Sequence, residues 1–174
     1  MFDFGIPGYR PHWLSGAREI RAELGERLAA LHGRVLHHVW LLWDTEDGSW
    51  WSDAPVLLDF GADQVEINHW KFDEVSVTWN AADRSLPNTW LPEEPGRLEW
   101  RADPLPELAA LAGGTVHEVR LLVWRNDKQR RGADLDHGSV AFQFVLDGGA
   151  FAVENAMDEN GLLFGEPPRE YRPV

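Results

Sequence analysis

Three groups of residues in this chain carry side chains able to do chemistry. His37 and His117 lie 80 residues apart in near-copies of one phrase, "LAALHGRVLHHVWLL" (28–42) and "LAALAGGTVHEVRLL" (108–122). Two imidazoles brought together could share a divalent metal or pass a proton. The loop "GADLDHG" gathers Asp134, Asp136 and His137, donors suited to a divalent ion or to acid–base work, although their spacing falls short of an EF-hand. The third group is "DTEDGSWWSDA", where Asp44, Glu46, Asp47 and Asp53 surround the adjacent pair Trp50 and Trp51. Acidic side chains steer a basic partner, and Trp is among the residues that anchor protein interfaces most strongly.

Each group also has a plainer reading. A histidine in a half-buried sheet is satisfied by a neighbouring hydrogen bond, and "GADLDHG" reads as a solvated turn. The acidic loop has a basic counterpart in "RNDKQRRGADLD", with Arg125, Lys128, Arg130 and Arg131 at the equivalent place after the second phrase. The two loops could pair with each other, with a tryptophan covering a sheet edge.

Larger enzyme classes leave no trace. The chain has no "GxxxxGK[ST]", "GxGxxG", "GxSxG" or "HExxH", and no cysteine for thiolate catalysis, disulfides or thiolate zinc sites. No catalytic residue and no cofactor is assigned, and the sequence reads as non-catalytic. A net charge of −13 disfavours nucleic acid and favours a basic protein. No apolar run approaches the ~20 residues of a membrane helix, and "MFDFGIPGYRPHW" lacks the pattern of a signal peptide. The expectation is a cytoplasmic protein with no membrane contact. Ten tryptophans in 174 residues exceed what such a core needs, so some should face a groove or an interface.

The elements that must position these groups follow from the repeated phrase. Before it, Ala17, Ile20, Leu24, Leu28 and Leu31 recur at helical spacing, with Ser15 as the expected N-cap and Gly33 as the stop. The second copy offers Asp103 as cap, Pro104 at the first helical position, then Leu105, Leu108 and Leu111. After each glycine the period becomes two, which predicts long strands with His37, Val39 and Leu41, or His117, Val119 and Leu121, facing a helix. Hairpins follow: "PVLLDF" and "QVEINH" around "GAD", and "SVAFQFVL" and "AFAVENA" around "DGG". "DEVSVTW" and "GLLF" supply one more strand each.

The expected fold is thus α+β: one domain over 1–174, built by internal duplication, with antiparallel sheets packed against two helices. The copies span about 15–80 and 103–164, joined by an irregular linker (80–102) and followed by an extended tail (165–174). The leading functional expectation is a small protein-binding module of adaptor or immunity- or antitoxin-like character. Its surface would be Trp50, Trp51, Asp44, Glu46, Asp47 and Asp53. The alternative is a small-molecule or metal-binding protein, or an enzyme, with a Trp-lined pocket and His37, His117, Asp134, Asp136 and His137 as its polar groups. Exposed sheet edges also make a homodimer conceivable.

Overall fold

The computed structural model describes residues 3–71, 73–125 and 138–174. These residues form two antiparallel sheets and two short helices, so the molecule is dominated by sheet. The first sheet contains β1 (Trp13–Ser15), β2 (His38–Asp44), β3 (Ser49–Trp50), β4 (Val56–Asp59), β5 (Gln64–Trp70), β6 (Glu74–Trp79) and β7 (Leu98–Ala102). Its order is β1-β6-β5-β4-β2-β3, with β7 on the other side of β2. The helices are α1 (Ala17–Ala29) and α2 (Pro106–Leu111). The second sheet runs β11-β10-β9-β8-β12, from β8 (Val116–Trp124), β9 (Val140–Leu146), β10 (Gly149–Asn155), β11 (Asn160–Phe164) and β12 (Tyr171–Pro173).

Alternation decides which way each strand faces. Val39 and Leu41 of β2, Val56 and Leu58 of β4, and Val65 and Ile67 of β5 point into one core. Val123, Phe142, Phe144, Phe151 and Val153 enter the same core from the second sheet. Phe144 and Phe151 stack there at 5.2 Å. The principal packing is therefore sheet against sheet, with the helices lying at its side. Ile20, Leu24 and Leu28 of α1 and Leu108 and Leu111 of α2 join the same cluster. Helix α1 lies against β8, and α2 against β2.

A short seam links the sheets. Gly33 N–H donates to Val116 O and Gly113 N–H to Leu36 O, at 2.8 and 2.7 Å. Leu36 N–H donates to Gly114 O and Val116 N–H to Arg34 O, at 2.9 and 2.8 Å, around an antiparallel bridge between Val35 and Thr115. Gly33 and Gly113 both hold positive φ (77° and 84°), which lets the chain turn from helix into seam where a Cβ would resist.

Several local expectations need correction. Ser15 does not cap α1: it pairs with Glu74 in β1, and the cap position falls to Gly16. Asp103 does not cap α2, which starts later, with Leu105 at the cap and Pro106 at the first turn. The Asp103 carboxylate instead accepts Val39 N–H at 2.8 Å and meets His38 Nδ1 at 2.6 Å. The linker 80–102 is not irregular throughout, because its end forms β7, paired along β2. The tail contains β12, paired with β8.

Candidate functional site

The outer face of the first sheet is where polar chemistry and concavity meet. The pairing register aligns Ala102, Trp40, Leu57, Glu66 and Thr78 in one row across β7, β2, β4, β5 and β6. This face would be open to water in a bare sheet. Two segments cover it: the N-terminal stretch, through Phe4, Ile6 and Tyr9, and a strap of residues 80–97, through Ala82 and Trp90. Phe4 makes edge contacts with Trp13, Trp70 and Trp90 at 6.2, 5.7 and 5.4 Å. Burying a side chain such as Phe4 or Ile6 contributes about 1.5–3 kcal/mol, enough to hold short irregular segments on a sheet.

Beneath this cover lies a buried carboxylate. Glu66 is fully enclosed, and it accepts Gln64 Nε2 (2.7 Å), Thr78 Oγ1 (2.6 Å) and the backbone N–H groups of Ala81 (3.0 Å) and Ala82 (3.3 Å). Only such a full set of donors makes a buried carboxylate tolerable. Glu66 thereby fastens the start of the strap to the sheet. Asn80 helps, its side chain accepting Gln64 N–H at 2.8 Å. Further along, Asn88 Nδ2 donates to Phe4 O and Thr89 N–H to Gly5 O. The Tyr9 hydroxyl is buried nearby, and burial pushes its pKa up.

Between strap and sheet runs an open groove of about 1260 Å³, whose walls include Trp40, Trp100, Asp59, Asn80, Arg84 and Glu99. Arg84 stacks on the Trp40 ring, Cζ to centroid 4.4 Å, and its Nη1 donates to Asp59 Oδ2 at 3.0 Å. Asp59 Oδ1 accepts Gly61 N–H at 2.8 Å. Burial works to raise the Asp59 pKa, but Gly61 N–H and Arg84 outweigh it and the net direction is down. The carboxylate is thus anionic at neutral pH. Aromatic faces beside fixed carboxylate and amide groups are suited to holding a cation or an extended polar segment.

The structure distributes the acidic loop differently from a free patch. Asp44 is 1% exposed, and its carboxylate takes Arg97 Nε at 2.9–3.0 Å and Nη2 at 2.7 Å. Arg97 is the first cause of its low pKa, about 2. Asp44 also accepts Glu46 and Asp47 N–H, so it organises the turn. Glu46 and Asp47 are exposed, and both pair with Arg97, at 3.0 and 3.4 Å. Trp50 packs on the central core, and Trp51 meets Trp90 edge-on at 5.7 Å. Asp53 is half-buried, and its pKa is raised by burial and then by the neighbouring Glu159 charge.

The histidines take separate neighbours. His37 is exposed beside Gly61 at the β4–β5 turn, whereas His117 Nε2 lies 2.5 Å from Asp147 Oδ1 at the β9–β10 turn. Asp134, Asp136 and His137, with Lys128, Arg130 and Arg131, lie outside the described residues. Among the described residues no three His, Asp or Glu side chains are grouped to hold a metal, and no helix is long and apolar enough to cross a membrane.

Sequence reasoning passed over Trp40, Trp100, Asp59, Asn80, Arg84 and Glu66. A signal for part of this face was present: "QVEINHW" alternates polar Gln64, Glu66 and Asn68 with apolar Val65 and Ile67. That the polar side would be roofed over depends on the strap, which carries no periodicity. No protein-family model matches this chain, and no curated protein or solved structure matches it either.

Proposed function

We propose that this protein is a non-catalytic protein-binding module, and that its groove receives an extended basic segment of a partner. The observation that carries this reading is the groove's charge. Among the described residues, the carboxylates of Asp59 and Asp83 line it against a single cation, Arg84, and the rings of Trp40 and Trp100 form part of its walls. The net charge of −13 adds a field that draws basic partners towards it. A cytoplasmic setting belongs to the same proposal and suits a chain without cysteine.

The Trp-lined small-molecule alternative draws less support, because neither His37 nor His117 is among the groove's lining residues. We also infer that the two halves arose by duplication. Supporting this are the reciprocal seam bonds, each joining residues offset by about 80, and the shared pairing of a long strand, a hairpin and a following strand in both sheets.

Selection from a displayed library of short peptides tests the binding proposal. Peptides rich in Arg and Lys should be enriched on the wild-type protein, and Trp100→Ala and Asp83→Lys should each weaken their binding at least tenfold. Affinity should fall with added salt, as expected for charge steering near a surface. Enrichment without basic bias, or binding unchanged in both variants, would refute it.

A further inference from the structure

The two arginines of the strap are held in different ways. Arg97 grips Asp44 through two nitrogens, against a carboxylate that is 1% exposed. Arg84 reaches Asp59 through Nη1 alone, and its guanidinium otherwise lies on the Trp40 ring. Arg84 also sits on an arch. Residues 83–87 are bonded mainly to themselves, with Ser85 N–H and Oγ donating to Asp83 Oδ1 and Leu86 N–H to Asp83 O. The arch's ends are fixed by Ala81 and Ala82 on Glu66, and by Asn88 and Thr89 on the N-terminal stretch. Among the described residues, Arg84 supplies the hydrogen bond that ties the arch between these ends to the sheet. Leu86, close by on the arch, stands 43% exposed.

We propose that Trp40 and Asp59 form an arginine-recognition subsite, which Arg84 fills in cis and a partner's guanidinium fills on binding by displacing it. The inference rests on the groove taking a basic segment. Its chemistry is that of a flat cation: a guanidinium stacks on an indole face and donates in its own plane to a carboxylate. A lysine ammonium satisfies the charge but not the stacking. The cis contact is a single hydrogen bond plus one stacking contact, fewer than the two-nitrogen grip of Arg97 on Asp44, and an incoming guanidinium can supply both contacts in its place. Displacement frees the arch while leaving both strap anchors in place, so binding need not unfold the cover. A cis competitor lowers apparent affinity by the fraction of time it holds the site.

The test removes the competitor and offers a small guanidinium. In Arg84→Ala, ethylguanidinium should bind saturably and shift the Trp40 indole N–H resonance, with about tenfold lower affinity in the wild type. Ethylammonium should leave that resonance in place, and the double variant Arg84→Ala/Asp59→Asn should not respond. Arg84→Gln, which keeps more of the side chain's bulk, repeats the experiment if the alanine variant fails to fold. An Arg-containing peptide selected on the groove should bind Arg84→Ala about tenfold more tightly than wild type. Equal guanidinium affinity in wild type and variant, or none in either variant, would overturn the proposal. Equal peptide affinity in wild type and Arg84→Ala would overturn the displacement while leaving the groove's role standing. Peptide binding absent from both proteins would remove the groove reading and this inference with it.

Discussion

His69 shows how one buried side chain can couple the protein to pH. It is 1% exposed, beside Phe142, and its backbone N–H donates to Asn160 Oδ1 at 2.9 Å. Its Nδ1 lies 3.2 Å from the same oxygen. Burial lowers its pKa from 6.5 to about 4, only partly offset by the bond to Asn160. A lowered folded-state pKa means that the unfolded chain takes up the proton first as pH falls. Stability is therefore complete above pH ~6.5 and declines as pH drops towards 4, by roughly 3 kcal/mol in all. Urea titrations across this range should show the decline, and His69→Leu should flatten it; an unchanged slope in the variant would exclude His69 as its source. The repeat directs attention to His37 and His117, because they occupy equivalent positions. Nothing local distinguishes a buried histidine from an exposed one. The acidic loop was legible as a cluster, but its counter-charge was not, since Arg97 comes from the strap 53 residues beyond Asp44.

The strap is the element whose placement the site depends on, and its tightest point is Gly5. There the N-terminal stretch passes under the strap with φ of 64°, and a Cβ on Gly5 would lie 2.1 Å from Trp90 N. No rotamer relieves a clash with backbone, so Gly5→Ala must push the two segments apart. A loss of about 3 kcal/mol is expected, with faster amide exchange across residues 80–97 and little change in β8, β9 and β10. Uniform loss of protection over both sheets would instead mean that the strap is inseparable from the core. Elements with strong periodicity, the hairpins above all, are legible from alternation and turn residues alone. The strap, β1 and β7 are not, because short edge pairings and Pro-rich cover take their shape from the surface they lie on. Helix caps failed for a related reason: Ser15 and Asp103 have the right chemistry for caps, but β1 and β2 claim them first.

At the scale of the whole molecule, one core serves both sheets, and each helix leans on a central strand of the other half: α1 on β8, α2 on β2. Neither sheet can lose its partner without exposing the apolar side it buries there. Thermal or urea unfolding should therefore follow one transition, coincident by far- and near-ultraviolet circular dichroism. Two resolved steps would show that the halves stand independently. The repeated phrase and its offset were plain in the sequence; that the sheets face each other was not, because alternation reveals a buried face without naming what covers it. The crowding of indoles over the first sheet also has an optical side. Trp13 and Trp70 lie 6.0 Å apart and Trp51 and Trp90 5.7 Å apart, and Trp90 and Trp100 each border two of the apolar clusters. Rings this close exchange excitation, so the light they emit belongs to the assembly rather than to any single residue. A segment settling beside Trp100 would change the emission of indoles it never touches, and the protein carries its own reporter for whatever enters the groove.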